Sequence, residues 1–138
     1  MKKRSFKKWL TKYLIRTLKK ERVKNVKIKN GWISLEYDGE KIRNKIVIKK
    51  HEPYVGSWAK TKDEVYIDDD LKNKKDMSAV ALHECIEKFV TQKYGLPEDT
   101  ISHDIANEKE KEYLARIDGP WEKHQRKVDK VWRKEGEK

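Results

Sequence analysis

Two dipeptides, Asn30-Gly31 and Asp38-Gly39, cut the stretch VKIKNGWISLEYDGEKIRNKIVI (residues 26–48) into three short runs rich in β-branched and aromatic residues. Asn-Gly and Asp-Gly accept the left-handed backbone of a two-residue hairpin turn, and that turn's twist matches the strands it joins. A three-stranded antiparallel meander over Val26–Ile48 is therefore predicted. His51 to Lys62 contains Pro53 and Gly56 and reads as a connection. The alternating EVYID of Glu64–Asp68 reads as a further strand, placed at a sheet edge.

From Asn73 onward the apolar residues recur at helical spacing. Asn73 or Asp76 can cap a helix that stops at Gly95-Leu96-Pro97. A second helix is expected from Glu98 to Ile117, closed by Asp118-Gly119-Pro120, and a third from Pro120 to Lys134. Ahead of the meander, Phe6, Trp9, Leu10, Tyr13, Leu14 and Leu18 recur at three- and four-residue intervals among lysines and arginines, which predicts an amphipathic basic helix over residues 5–21. The expected fold is α+β: a basic helix in residues 1–22, a small, mostly antiparallel sheet in 23–68, a helical hairpin in 73–117 and a last helix in 120–134. At 138 residues the chain is expected to be a single domain.

The charge is unevenly placed. Residues 1–22 hold ten Lys and Arg against one Glu, out of a net +11 for the whole chain. A basic excess confined to one stretch suggests one local surface meeting an anionic partner, either nucleic acid or a lipid headgroup surface. Weak electrostatic nucleic-acid binding through residues 2–22 is one expectation. The other is that the apolar stripe of this helix packs on the sheet and leaves a solvated basic face. No run of about 18 apolar residues and no signal-peptide pattern is present, so a cytoplasmic protein without a membrane span is expected. The one cysteine, Cys85, can form no internal disulfide and is expected to be buried filler. Heavy Lys and Glu usage with two Gln resembles thermophile composition.

The stretch ALHECIEKFV, Ala81 to Val90, puts one histidine and two glutamates inside a helix that should be buried. At about 100° per residue, His83 and Glu87 share an arc with Val80, Val90 and Tyr94, and His103 and Glu110 share one with Ala106 and Leu114 on the next helix. Antiparallel pairing about the Gly95-Leu96-Pro97 turn brings His83 level with Glu110 and Glu87 within about one turn of His103. Ionisable groups buried together need either mutual hydrogen bonds or a cation. Imidazole with carboxylate is a donor set suited to Zn²⁺, with Fe or Mn as alternatives. His83, Glu87, His103 and Glu110 are thus the candidate metal ligands, and a metal-less His–Glu network is the competing reading. Three protein ligands would leave a coordination position open for chemistry, whereas four would close the shell and make the metal structural. Glu84, about 60° round the helix from Glu87, stands where a general base would touch water without binding metal. His124 falls among Trp121, Val128, Val131 and Trp132 and is expected to be a packing histidine, and His51 a surface loop residue.

His83-Glu84-Cys85-Ile86-Glu87 on a helix, after a strand and before a helix carrying further ligands, resembles the zincin metallopeptidases, in particular the minimal gluzincins. Their motif is H-E-x-x-H, with two zinc-binding histidines, a catalytic glutamate between them and a glutamate ligand on a downstream helix. The resemblance implies His83 as first ligand, Glu84 as the base activating a metal-bound water, and Glu110 as the downstream ligand. Glu87 departs from the pattern, and His103 is the residue able to restore the second imidazole. The chain also resembles small uncharacterised proteins of phages and archaeal plasmids that carry H-E-x-x-E and a later His-x-x-Ala, here His103 to Ala106. A metallopeptidase with Zn²⁺ and a peptide or protein substrate lying along Glu64–Asp68 is the function expected. The alternative is a non-enzymatic nucleic-acid-binding accessory protein of a virus or mobile element, with a structural metal or a His–Glu network.

Overall fold

In the computed structural model, residues 3–50 and 55–136 are described, with side chains described for 8–50 and 55–132. Both hairpin turns take the left-handed backbone their dipeptides allow, with φ of 54° and 77° at Asn30-Gly31 and 53° and 73° at Asp38-Gly39. They join β1 (Lys24–Lys29), β2 (Trp32–Tyr37) and β3 (Glu40–Lys49) into the predicted antiparallel meander. Along β2, Ile33, Leu35 and Tyr37 face the core while their neighbours are half-buried, the period of two that one covered face requires.

The remainder of the sheet differs from expectation. A three-residue strand, β4 (Gly56–Trp58), lies inside the segment read as a connection. β5 (Glu64–Asp68) inserts between β3 and β4, parallel to the first and antiparallel to the second, giving the order β1-β2-β3-β5-β4. Glu64–Asp68 is therefore an interior strand, and β4 is the edge. The cause is burial: Val65 and Ile67 are fully buried, and both backbone edges of β5 are hydrogen-bonded. A strand as short as β4 shows no alternation for sequence reading to detect. His51 and Pro53 lie outside the described residues.

Asn73 caps α2 (Lys74–Tyr94), its side chain accepting from the Lys75 N–H at 2.8 Å and the Asp76 N–H at 3.4 Å. Gly95, at φ 66°, ends the helix in the left-handed conformation that glycine tolerates. Asp76, the other cap candidate, is instead buried in the first turn. A π-helical turn, Glu98–Ser102, leads into α3 (His103–Arg116), so the expected second helix is continuous but changes pitch just before His103. α4 (Trp121–Gly136) follows. α2 is the central helix, with the sheet on one side and α3 on the other. Leu82, Ile86 and Val90 of α2 join Leu35 and Ile67 of the sheet and Ile105 of α3 in one hydrophobic cluster. Each such buried aliphatic side chain contributes about 1.5–3 kcal/mol.

The first helix, α1 (Lys3–Lys20), packs chiefly against α3, and at its end Tyr37 of β2 donates to the Leu18 carbonyl. Lys109 of α3, itself 1 % exposed, donates to the carbonyls of Lys19 (2.7 Å) and Glu21 (2.5 Å) at the end of α1, and Arg116 donates to Val23 O at 2.6 Å. Cations there satisfy carbonyls the helix leaves open and complement its dipole. Among the described side chains only this end of the predicted apolar stripe is covered: Leu18 is fully buried and Leu14 half-buried, whereas Trp9, Leu10 and Tyr13 are exposed, and the Phe6 side chain lies outside the described residues. The reading in which the stripe packs on the sheet thus holds for Leu18 and not for Trp9, Leu10 or Tyr13. Among the described residues, no helix is long and apolar enough to cross a membrane.

Candidate metal centre

His83 and Glu87 are one turn apart on α2, and His83 Nε2 stands 3.0 Å from Glu87 Oε2. The start of α3 brings His103 alongside, its Nδ1 3.3 Å from the same Glu87 oxygen and its ring edge-on to that of His83 at 4.9 Å. One ligand atom from each of His83, Glu87 and His103 falls within 4.8 Å of the others, a spacing able to hold a metal ion. His83 and Glu87 are buried, and His103, with its side chain 48 % exposed, forms the open side.

Glu110 does not join these three. Its Oε1 lies 2.8 Å from His83 Nδ1, and its Oε2 bonds His124 Nε2, so both oxygens are engaged behind the histidine rather than at the cluster. The sequence placed Glu110 at the right level of α3 but could not tell which imidazole nitrogen it meets. Because it meets Nδ1, it favours the tautomer that leaves Nε2 pointing at Glu87 and His103, the arrangement in which carboxylates orient metal-binding histidines. His124 is buried as a satisfied histidine, with Nδ1 2.7 Å from Asp76 Oδ1, and Lys127 donates to the other Asp76 oxygen at 2.9 Å. Asp76, His124 and Glu110 thereby form a continuous hydrogen-bonded chain behind His83.

Trp58 was missed by sequence reading. Its indole N–H, at the end of β4, donates to Glu87 Oε1 at 3.2 Å and leaves Oε2 for the two histidines. No sequence signal marks it, because β4 itself carries none.

Glu84 is buried and lines the same cavity as the cluster. Its side chain lies against Gly56 of the edge strand: a Cβ at Gly56 would come within 3.1 Å of Glu84 Cγ, and within 2.8 Å of Val80. Only glycine lets the strand approach α2 this closely. The cavity, about 720 Å³, is walled by β4, α2, the start of α3 and α4. Among the described residues, its lining includes six carboxylates and no Lys or Arg.

These neighbours set the protonation states. Burial lowers the His83 pKa, but the hydrogen bonds its ring donates to Glu110 and Glu87 outweigh it and hold the ring well above the usual histidine value. Burial pushes Glu87 up, while His103, His83 and Trp58 bring it down to about 2. His124 is likewise raised, because Glu110 and Asp76 overcome its desolvation. Cys85, beside Glu84 in sequence, is buried filler as expected. Burial pushes its thiol up to about 12, and Asn44 donates to its sulfur at 3.4 Å, so it supplies no nucleophile. A second acidic group, Asp68, Asp69 and Asp70, closes the turn after β5, where Asp68 Oδ1 accepts from the Asp70 N–H at 2.8 Å. It offers no imidazole.

No protein-family model, no curated protein and no solved structure matches the chain.

Proposed function

We propose that the chain is a zincin-like metal-dependent hydrolase, most simply a peptidase, in which His83, Glu87 and His103 hold Zn²⁺, with Fe or Mn as alternatives. The observation that carries this reading is the convergence of two imidazoles and one carboxylate at the open side of a cavity that also contains Glu84. The donor set fits the ion: mixed nitrogen and oxygen ligands suit Zn²⁺, and three of them leave room for a reacting group. Glu110 and Trp58 support it by engaging the far sides of His83 and Glu87. When bound, the ion would polarise a carbonyl and acidify water.

The chain's own residues supply the rest. Glu84 takes a proton from the attacking water and passes it to the leaving amine. β4, as the sheet edge above Glu84, offers its backbone to an extended peptide, in place of the Glu64–Asp68 strand first expected. Gly56 keeps that backbone close to Glu84.

A second reading is favoured by one observation. His83, Glu87, His103, Glu110 and His124 also satisfy one another without an ion, as a structural network would. The chain would then be a non-enzymatic nucleic-acid-binding accessory protein. Elemental analysis of purified protein, with peptide cleavage by parent and Glu84→Gln, separates the two. About one transition metal per chain and cleavage lost in Glu84→Gln support the hydrolase. A protein that takes up no metal when offered Zn²⁺ overturns the hydrolase, and oligonucleotide binding without peptide cleavage supports the accessory protein.

A further inference from the structure

α1 presents an exposed apolar arc beside an exposed basic face. Trp9 (58 % exposed), Leu10 (43 %) and Tyr13 (59 %) share an arc of about 100°. The two aromatic rings stack on each other, centroids 5.8 Å apart and 15° from parallel. Next to this arc, Lys8, Lys12 and Arg16 are all exposed along the adjacent face. Residues 1–22 hold ten Lys and Arg against one Glu. The helix direction is set from its other end, where Lys109 and Arg116 of α3 hold the backbone of residues 19–23 and Leu18 enters the core. The apolar arc is thereby kept on the outside.

We propose that α1 seats the protein on the surface of an anionic lipid bilayer. It would lie in the headgroup plane, with Trp9, Leu10 and Tyr13 turned toward the acyl boundary and Lys8, Lys12 and Arg16 meeting anionic headgroups. This is the chemistry of an interfacial amphipathic helix, in which buried apolar area and electrostatic attraction add. Trp and Tyr suit such a boundary, because each has an apolar body and a polar tip. Other occupants answer only half of the surface. A nucleic-acid backbone neutralises the cations but leaves Leu10 in water, and the faces that Trp9 and Tyr13 would offer a base are partly used on each other. A second copy covers the apolar arc but sets two strongly basic stretches side by side. The inference is independent of the metal centre.

The test uses the full chain with vesicles of phosphatidylcholine alone or mixed with phosphatidylserine, read by co-sedimentation and tryptophan emission. The parent should bind the mixed vesicles with a blue shift. Each cation removed in the Lys8→Gln, Lys12→Gln, Arg16→Gln series should weaken that binding roughly fivefold. The combined Trp9→Ser, Leu10→Ser, Tyr13→Ser variant should melt like the parent, lose the blue shift and bind at least about tenfold more weakly. Undiminished vesicle binding by that serine variant overturns the proposal. So does a parent that ignores vesicles yet binds an oligonucleotide at the same salt concentration, which would make α1 a nucleic-acid surface. A parent that ignores vesicles and forms a dimer abolished by the serine variant also overturns it, identifying a self-association face.

Discussion

The cavity around His83 and the outer face of α1 are opposites in both charge and packing. Among its described lining residues the cavity gathers six carboxylates without a Lys or Arg, in a chain where 35 of 138 residues are Lys or Arg. His83, Glu87 and Glu110 are buried and held by hydrogen bonds, and His103 stands at the open side. α1 collects most of the net positive charge and leaves three large apolar side chains exposed. Charges in water at an exposed helix are worth little individually and act together on a distant anionic surface. Charges in the cavity act at contact distance on one another and on whatever enters. The outer face of α1 should therefore respond to salt and keep its fold through single substitutions, and the cavity should respond to pH and tolerate almost none.

The sharpest break of this comparison is Glu84→Gln, which keeps the shape and removes the basicity. Peptide hydrolysis should fall by about 10²–10⁴ with metal content unchanged. His83→Ala or His103→Ala removes an imidazole ligand, and elemental analysis should find most of the metal gone, whereas Lys12→Gln should leave it untouched. Full occupancy in the double alanine variant would dissolve the site. Within α1 the two ends should part company. Leu18→Ala should cost about 2–5 kcal/mol in denaturant unfolding through the cavity it opens, and Trp9→Ala no more than about 0.5 kcal/mol. Equal losses would mean that the exposed arc is packed in solution.

Smaller effects sharpen the contrast. Glu110→Gln and Trp58→Phe each remove a group that orients a ligand, and each should weaken metal binding about 10–100-fold without abolishing it. For the pH response, the His83 and His124 pKa values are raised in the folded chain. Their contribution to stability is fully present below about 6.5, the unfolded value, and is lost as pH climbs through the raised values. Glu87 is lowered to about 2, so its contribution is present above about 4.3 and is lost as pH falls from there through about 2. Without metal, the urea midpoint should peak between these limits. Added Zn²⁺ should move the peak upward, because binding through His83 Nε2 displaces a proton and strengthens as pH rises. A midpoint flat across that range would remove the coupling between histidines and carboxylates.

Local chemistry made the meander, the α2 cap and stop, and the pairing level of α2 with α3 readable from the residues themselves. Asn30-Gly31 and Asp38-Gly39 permit one kind of turn, and Asn73 and Gly95 satisfy helix ends within a few residues of themselves. Helical period alone put His83, Glu87, His103 and Glu110 on facing arcs, because side-chain direction in a helix is a local property. The position of β5, the existence of β4 and the separate duty of Glu110 were not legible in this way. β5 is interior because β4 pairs with its far side, and β4 is held by partners distant in sequence, too short to show a period of its own. Glu110 faces Nδ1 rather than the open cluster because His124, arriving on α4, takes its second oxygen, and Trp58 reaches Glu87 only because Gly56 lets the edge strand close on α2. The amino-acid sequence by itself determined which residues line each helix face and where the charge lies. Which nitrogen meets which carboxylate, and which half of the α1 stripe is covered, depend on contacts between segments far apart in the chain, and only the tertiary structure decided them.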